Sequence, residues 1–189
     1  DAGPVPSQFE GYAELDELDW ARYRATHTNI QRLDRILKAD GDHPDRYQVA
    51  KQADTVMLFF LFSPDELRRL LEQLGYAHDP DLARRTIDYY DQRTSHGSTL
   101  SLITYAGVLA GLDPASSWQR FLKALDSDLG DVQGGTTKEG IHMGVMSGTL
   151  ALVQNAYLGV KIRDGVLSFE PKLIDRLDDA RTPPGERAA

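Results

Sequence analysis

The chain contains no cysteine. That absence excludes disulfide bridges, thiolate nucleophiles and Cys-ligated zinc together, and it fits a reducing compartment such as the cytoplasm. Positive charge is also short: 21 Lys and Arg stand against 29 Asp and Glu, a formal net charge of −8. Phosphate backbones are bound by clustered Lys and Arg, so nucleic acid is not an expected partner. Long apolar runs are missing too. The longest, Thr55 to Phe62, is too short to span a bilayer, and Asp1 opens no basic-then-apolar leader. No membrane partner and a cytoplasmic location are therefore expected. What is present is ordinary globular material, 189 residues with 41% apolar and 26% charged content, enough for one domain with a real core.

Residues 1 to about 46 read as irregular, with two short helices at Leu18 to Ala25 and Ile30 to Ala39. Their aromatics Phe9, Tyr12, Trp20 and Tyr23 read as packing anchors rather than a ligand platform. From Tyr47 onward two kinds of helix alternate. Tyr47 to Phe62, Leu100 to Leu112 and Met143 to Tyr157 are apolar on nearly every side, as an inner, buried layer requires. Ser63 to Leu74 and Pro114 to Leu125 carry apolar residues at i, i+3, i+4 and i+7 with charges opposite, as an outer layer requires. Ser63-Pro64 with Glu66, Asp79-Pro80 and Asp113-Pro114 each predict a cap followed by proline at the start of a helix. Beyond Tyr157, Val160 to Arg163 and Val166 to Phe169 predict two short strands around an Asp164-Gly165 turn. The expected division is a helical unit over 1–158, a small β region over 159–173 and a flexible tail over 174–189.

Three polar clusters fall at the starts of the inner helices. One is Lys51-Gln52, although a lysine at a helix end often just reaches solvent. The second is the loop Asp91 to Ser101, in which Arg93, His96, Gly97 and the hydroxyls of Thr94, Ser95, Ser98 and Thr99 precede a helix. Such a donor set at a helix N-terminus suits a phosphate or a ring of sugar hydroxyls. The competing reading is that Ser95 or Ser98 merely caps the helix. The third cluster is Gly134 to His142. Its Glu139 and His142 are spaced to ligate metal only if a second such pair and more carboxylates were present, so no metal is expected.

Taken in order, Val49-Ala50-Lys51-Gln52-Ala53-Asp54, Tyr89-Tyr90, Thr94-Ser95-His96-Gly97-Ser98-Thr99-Leu100-Ser101, Glu139-Gly140-Ile141-His142 and Ser147-Gly148-Thr149 resemble glycoside hydrolase family 65. That family holds inverting trehalose, maltose and kojibiose phosphorylases and related α-glucoside hydrolases. The resemblance runs from about Phe9 to Pro171. It implies a mainly α fold, the carboxyl-terminal half of an (α/α)6 barrel, followed by a short β hairpin. It further implies that Lys51, Gln52 and His142 bind the glucosyl unit, that Ser95, His96, Gly97 and Ser98 hold phosphate, and that no cofactor is used beyond phosphate as co-substrate.

The family's general acid lies in a motif well before the Lys-Gln pair. Only fifty residues precede Lys51, and Glu10, Glu14 and Glu17 lie in no such motif, so no catalytic residue is assigned here and the isolated chain is expected to be inactive. Gly97 also departs from the family, in which many phosphorylases carry an acidic residue directly after the histidine. The expected partners are a disaccharide and phosphate, with a second copy or a complementary amino-terminal half. The alternative is a non-catalytic helical module that binds a sugar phosphate or such a half.

Overall fold

The computed structural model describes residues 4–77, 79–163 and 165–172. The expected tail over 174–189 and the turn residue Asp164 lie outside them. Among the described residues, eight α-helices are arranged as α1 Trp20–Thr26, α2 Leu33–Ala39, α3 Met57–Leu61, α4 Pro64–Gln73, α5 Leu82–Asp91, α6 Leu100–Leu109, α7 Pro114–Leu125 and α8 Met143–Ala151. A π-helical stretch, Leu152–Tyr157, continues α8. Strands β1 Val160–Arg163 and β2 Val166–Phe169 then pair antiparallel, with Val160 opposite Phe169.

α6 is the centre of the packing. Ser101, Leu102, Ile103, Thr104, Tyr105, Ala106 and Leu109 on it are all buried, so its apolar residues face neighbours on nearly every side. One side joins α7, α8 and the π-helical stretch through Phe121, Ala124, Val145, Leu152 and Tyr157. The other joins Val56, Ile87, Tyr90 and Tyr12. Close approach is purchased by glycine: a Cβ on Gly107 would stand 2.5 Å from the Phe60 ring, and one on Gly148 2.9 Å from Ile103. The outer helices start largely where their caps predict. Ser63 and Glu66 form a reciprocal capping box, and the Asp113 side chain accepts from Ser116 N at 3.1 Å. The Asp79-Pro80 signal is displaced. Asp79 accepts from Asp81 N at 3.0 Å and pairs with Arg85, so Pro80 sits in a turn and α5 begins only at Leu82.

Two predicted inner helices need correction. Tyr47 to Phe62 is helical only over Met57–Leu61, because the preceding backbone bonds to distant segments instead of to itself. Gln48 N donates to Asp16 O at 2.8 Å and Ala50 N to Arg93 O at 2.8 Å, while Ala50 O accepts from Ser95 N at 2.9 Å. Lys51 and Gln52 therefore lie in a bend just after the Ala50 bridge, not on a helix. Met143 to Tyr157 is helical throughout, but it is not buried all round: Met143 and Leu150 are 71% and 73% exposed, as is Ile141 just before it at 67%. Among the described residues no element covers that face. In the amino-terminal segment Tyr12 and Tyr23 are buried as anchors, Trp20 packs partly, and Phe9 remains largely exposed with its ring edge-on to Tyr12.

Candidate active site

A short parallel ladder builds the site. Ala50 bridges Thr94, and one step further the Gly97 N–H donates to Lys51 O at 3.0 Å. This ladder brings Lys51 and Gln52 beside the 94–99 loop, more than forty residues away in sequence. Gln133 then locks a third segment on, its side-chain amide donating to Gly97 O at 3.0 Å. The result is a cleft of about 360 Å³ lined by Lys51, Gln52, Gly97, Ser98, Thr99, Gln133 and His142, with Leu100, Gly144 and Val145. None of these residues is a carboxylic acid. A groove of about 520 Å³ that shares Gln52, Leu100 and Gly144 with the cleft runs on between α3, α6 and α8.

α6 starts at the cleft with Thr99 as its N-cap and no capping side chain, so neither Ser95 nor Ser98 serves as the simple cap. Two of its first-turn N–H groups are met by the preceding backbone, Ser101 N donating to Ser98 O at 3.1 Å and Leu102 N to Thr99 O at 3.0 Å. Ser98 and Gly97 line the cleft, whereas Ser95 and His96 stand behind it. Ser95 is buried on the far side of the ladder, in a smaller cavity that also contains Lys51. His96 has φ +54, a left-handed conformation that histidine adopts more readily than most side chains. Its ring turns inward, edge-on to Tyr105 with centroids 5.3 Å apart. Ser101 Oγ donates to Ser98 O at 2.7 Å, so at its 2.8 Å contact with His96 it accepts from Nδ1–H. The histidine thus braces the loop through Ser101. Burial pushes its pKa down to about 4, with Arg120 and Lys123 in the same direction and Asp91 opposing.

His142 is placed from the other side. Asp128 Oδ2 accepts its backbone N–H at 3.0 Å, and Asp128 Oδ1 lies 2.5 Å from ring Nδ1. The His142 bond is also the main reason the Asp128 carboxyl is held below its usual range. Asp131, at φ +45, accepts from the N–H groups of Gly135 and Thr137 at 2.6 and 3.3 Å and folds the intervening loop back on itself. Those bonds hold its carboxyl low as well. Asp128 and Gln133 were not singled out by sequence. The only local signal was the position of Gln133 just before the Gly134-Gly135 pair, and Asp128 lies fourteen residues from the histidine it holds. Among the described residues no group of three or more His, Asp or Glu side chains converges as a metal centre. A separate hollow of about 410 Å³ between α4, α5 and α6 is lined chiefly by apolar side chains such as Phe59, Leu67, Leu71 and Val108.

The chain is similar to several known proteins. An uncharacterised glycosyl hydrolase of Mycobacterium tuberculosis is 50% identical over 179 residues, 95% of this chain and 14% of the relative. The trehalose 6-phosphate phosphorylase of Lactococcus lactis is 42% identical over 176 residues, 92% of this chain and 23% of the relative. The kojibiose phosphorylase of Thermoanaerobacter brockii is 34% identical over 174 residues, 90% of this chain and 20% of the relative. The chain thus spans between 14% and 23% of the length of these relatives. A solved structure named as a kojibiose phosphorylase from the human microbiome superposes with a TM-score of 0.60 at 22% identity, covering 87% of this chain and 21% of that one. That likeness concerns the fold, the alternating helices of part of an (α/α)6 barrel with the β hairpin behind them. The model of the glycosyl hydrolase family 65 central catalytic domain matches residues 2–151, and the chain belongs to that family.

Proposed function

We propose that this chain is the glucose- and phosphate-binding half of the active site of an inverting α-glucoside phosphorylase. The observation that carries the reading is the cleft's polar lining: a lysine, two hydroxyls and a side-chain amide on one wall, a histidine facing them, and no carboxylate. Such a wall attracts an oxyanion. Phosphate attacks the anomeric carbon from one face while a carboxylic acid outside this chain protonates the glycosidic oxygen on the other. The C–O bond to the leaving sugar breaks, and the product is β-glucose 1-phosphate. An inverting hydrolase needs a second carboxylate to activate water, whereas phosphate as nucleophile needs none. In this reading Lys51, Gln52 and His142 hold the glucosyl unit. Gly97 and Ser98 hold phosphate directly, with Ser95 and His96 supporting the loop from behind.

The substrate class is an α-linked glucose disaccharide such as trehalose, maltose or kojibiose. The 42% identity to a trehalose 6-phosphate phosphorylase adds the 6-phosphorylated form to that set. The test is to incubate the longest active form that carries this chain with each disaccharide, with and without phosphate, and follow the products by proton NMR. β-Glucose 1-phosphate released only when phosphate is present supports the reading, and arsenate should replace phosphate. Release of free glucose without phosphate would overturn the phosphorylase reading and favour a hydrolase of the same family.

A further inference from the structure

Asp128 lies just beyond α7 and does not line the cleft, yet its carboxylate is wholly committed to His142. One oxygen takes the backbone N–H at 3.0 Å and the other faces ring Nδ1 at 2.5 Å. An ionised carboxylate only accepts, so the ring nitrogen facing it carries the hydrogen. Nε2 is then the nitrogen left for the cleft that His142 lines. In a neutral imidazole that nitrogen is unprotonated and accepts a hydrogen bond. Resting on the reading above, we propose that Asp128 is a positioning residue. It locks His142 as the Nδ1–H tautomer, so that Nε2 accepts from a hydroxyl of the bound glucosyl unit.

The geometry makes Asp128→Asn a discriminating variant. Aspartate meets two N–H groups with two acceptors, whereas asparagine has only one. If its oxygen keeps the backbone N–H at the start of α8, its NH₂ faces the ring, and the ring must present a lone pair at Nδ1 and carry its hydrogen on Nε2. The bond offered to the cleft is then reversed. A purely structural role, satisfying the start of α8, would leave the tautomer untouched.

The first measurement is nitrogen NMR of ¹⁵N-histidine-labelled protein on the alkaline side of the imidazole titration. The wild-type His142 ring is expected as Nδ1–H and the Asp128→Asn ring as Nε2–H, with the other histidines unmoved. A wild-type ring protonated on Nε2 overturns the proposal, and so does an unchanged tautomer in a folded variant. The wild-type spectrum alone decides the first point even if the variant does not fold. In the active form, Asp128→Asn should raise KM for the disaccharide by about 10–100-fold, the cost typical of losing a partner that orients a functional histidine. KM for phosphate should change little, and Asp128→Glu should recover part of the loss. Equal loss for both substrates overturns the assignment of His142 to the sugar side while the tautomer result stands or falls separately. Absence of phosphorolysis in the wild type is a failure of the functional reading, and the NMR measurement does not depend on it.

Discussion

The Gly97 N–H donates to Lys51 O at 3.0 Å, and a Cβ added to Gly97 would stand 2.8 Å from Lys51 Cγ. These two residues come from separate polar clusters and meet edge to edge in the ladder that forms the cleft wall. The glycine is required by close approach, since the same Cβ would also stand 2.8 Å from the backbone oxygen of Gln31.

Gly97→Ala should therefore destabilise the protein by about 1–3 kcal/mol, the usual cost of overpacking. Thermal unfolding measures it. The lysine side chain can move aside but the Gln31 backbone cannot do so cheaply, so sugar binding should weaken with stability. A variant that melts like the wild type would show that the ladder yields without cost.

Lys51→Ala and Ser98→Ala should separate the two substrates. Losing a donor to a dianion costs about 1.5–3 kcal/mol, roughly 10–150-fold. Ser98→Ala should raise KM for phosphate by such a factor and leave that for the disaccharide nearly unchanged. Lys51→Ala should do the reverse. Steady-state kinetics with each substrate varied in turn decides the assignment, and a common loss in both variants would refute it.

His96 makes a pH prediction. Its pKa falls from an ordinary 6.5 to about 4 on folding, so between those values the unfolded chain binds a proton that the folded one does not. Stability therefore rises with pH across that window and is lost on acidification, by on the order of 2–3 kcal/mol. The low carboxyl pKa values of Asp113, Asp128 and Asp131 act further down, since their ordinary value is 3.8. Asparagine tolerates the positive φ of position 96 and can still meet Ser101. His96→Asn should flatten the curve between pH 4 and 6.5 in urea unfolding. Parallel curves for variant and wild type would contradict a neutral, buried His96.

The purified 189-residue chain should release no glucose 1-phosphate and should self-associate. No carboxylate lines its cleft, and general acid catalysis contributes about 10²–10⁴-fold. Its Ile141, Met143 and Leu150 form an exposed apolar face on and beside α8, which favours association. Light scattering tests the second point: a concentration-independent monomer would count against it. Leu150→Glu should shift a wild-type oligomer toward monomer.

Local patterning alone located the outer helices. The Ser63/Glu66 box and the Asp113 cap depend on residues within one helical turn, and the hairpin over 160–169 depends on short-range alternation. The donor-rich loop before α6 was readable for the same reason. What tertiary structure decided is the outcome of competition for backbone hydrogen bonds. The stretch from Tyr47 to Val56 leads without a break into the apolar run and reads as part of the same helix, but Arg93, Ser95 and Asp16 offer its backbone partners that no local pattern encodes. The same long-range pairing puts Lys51 against Gly97 and turns His96 inward to Ser101. It also gives Asp128 to His142. Residue types and local periodicity are written in the sequence, but which distant groups meet at hydrogen-bonding distance is set only when the helices pack.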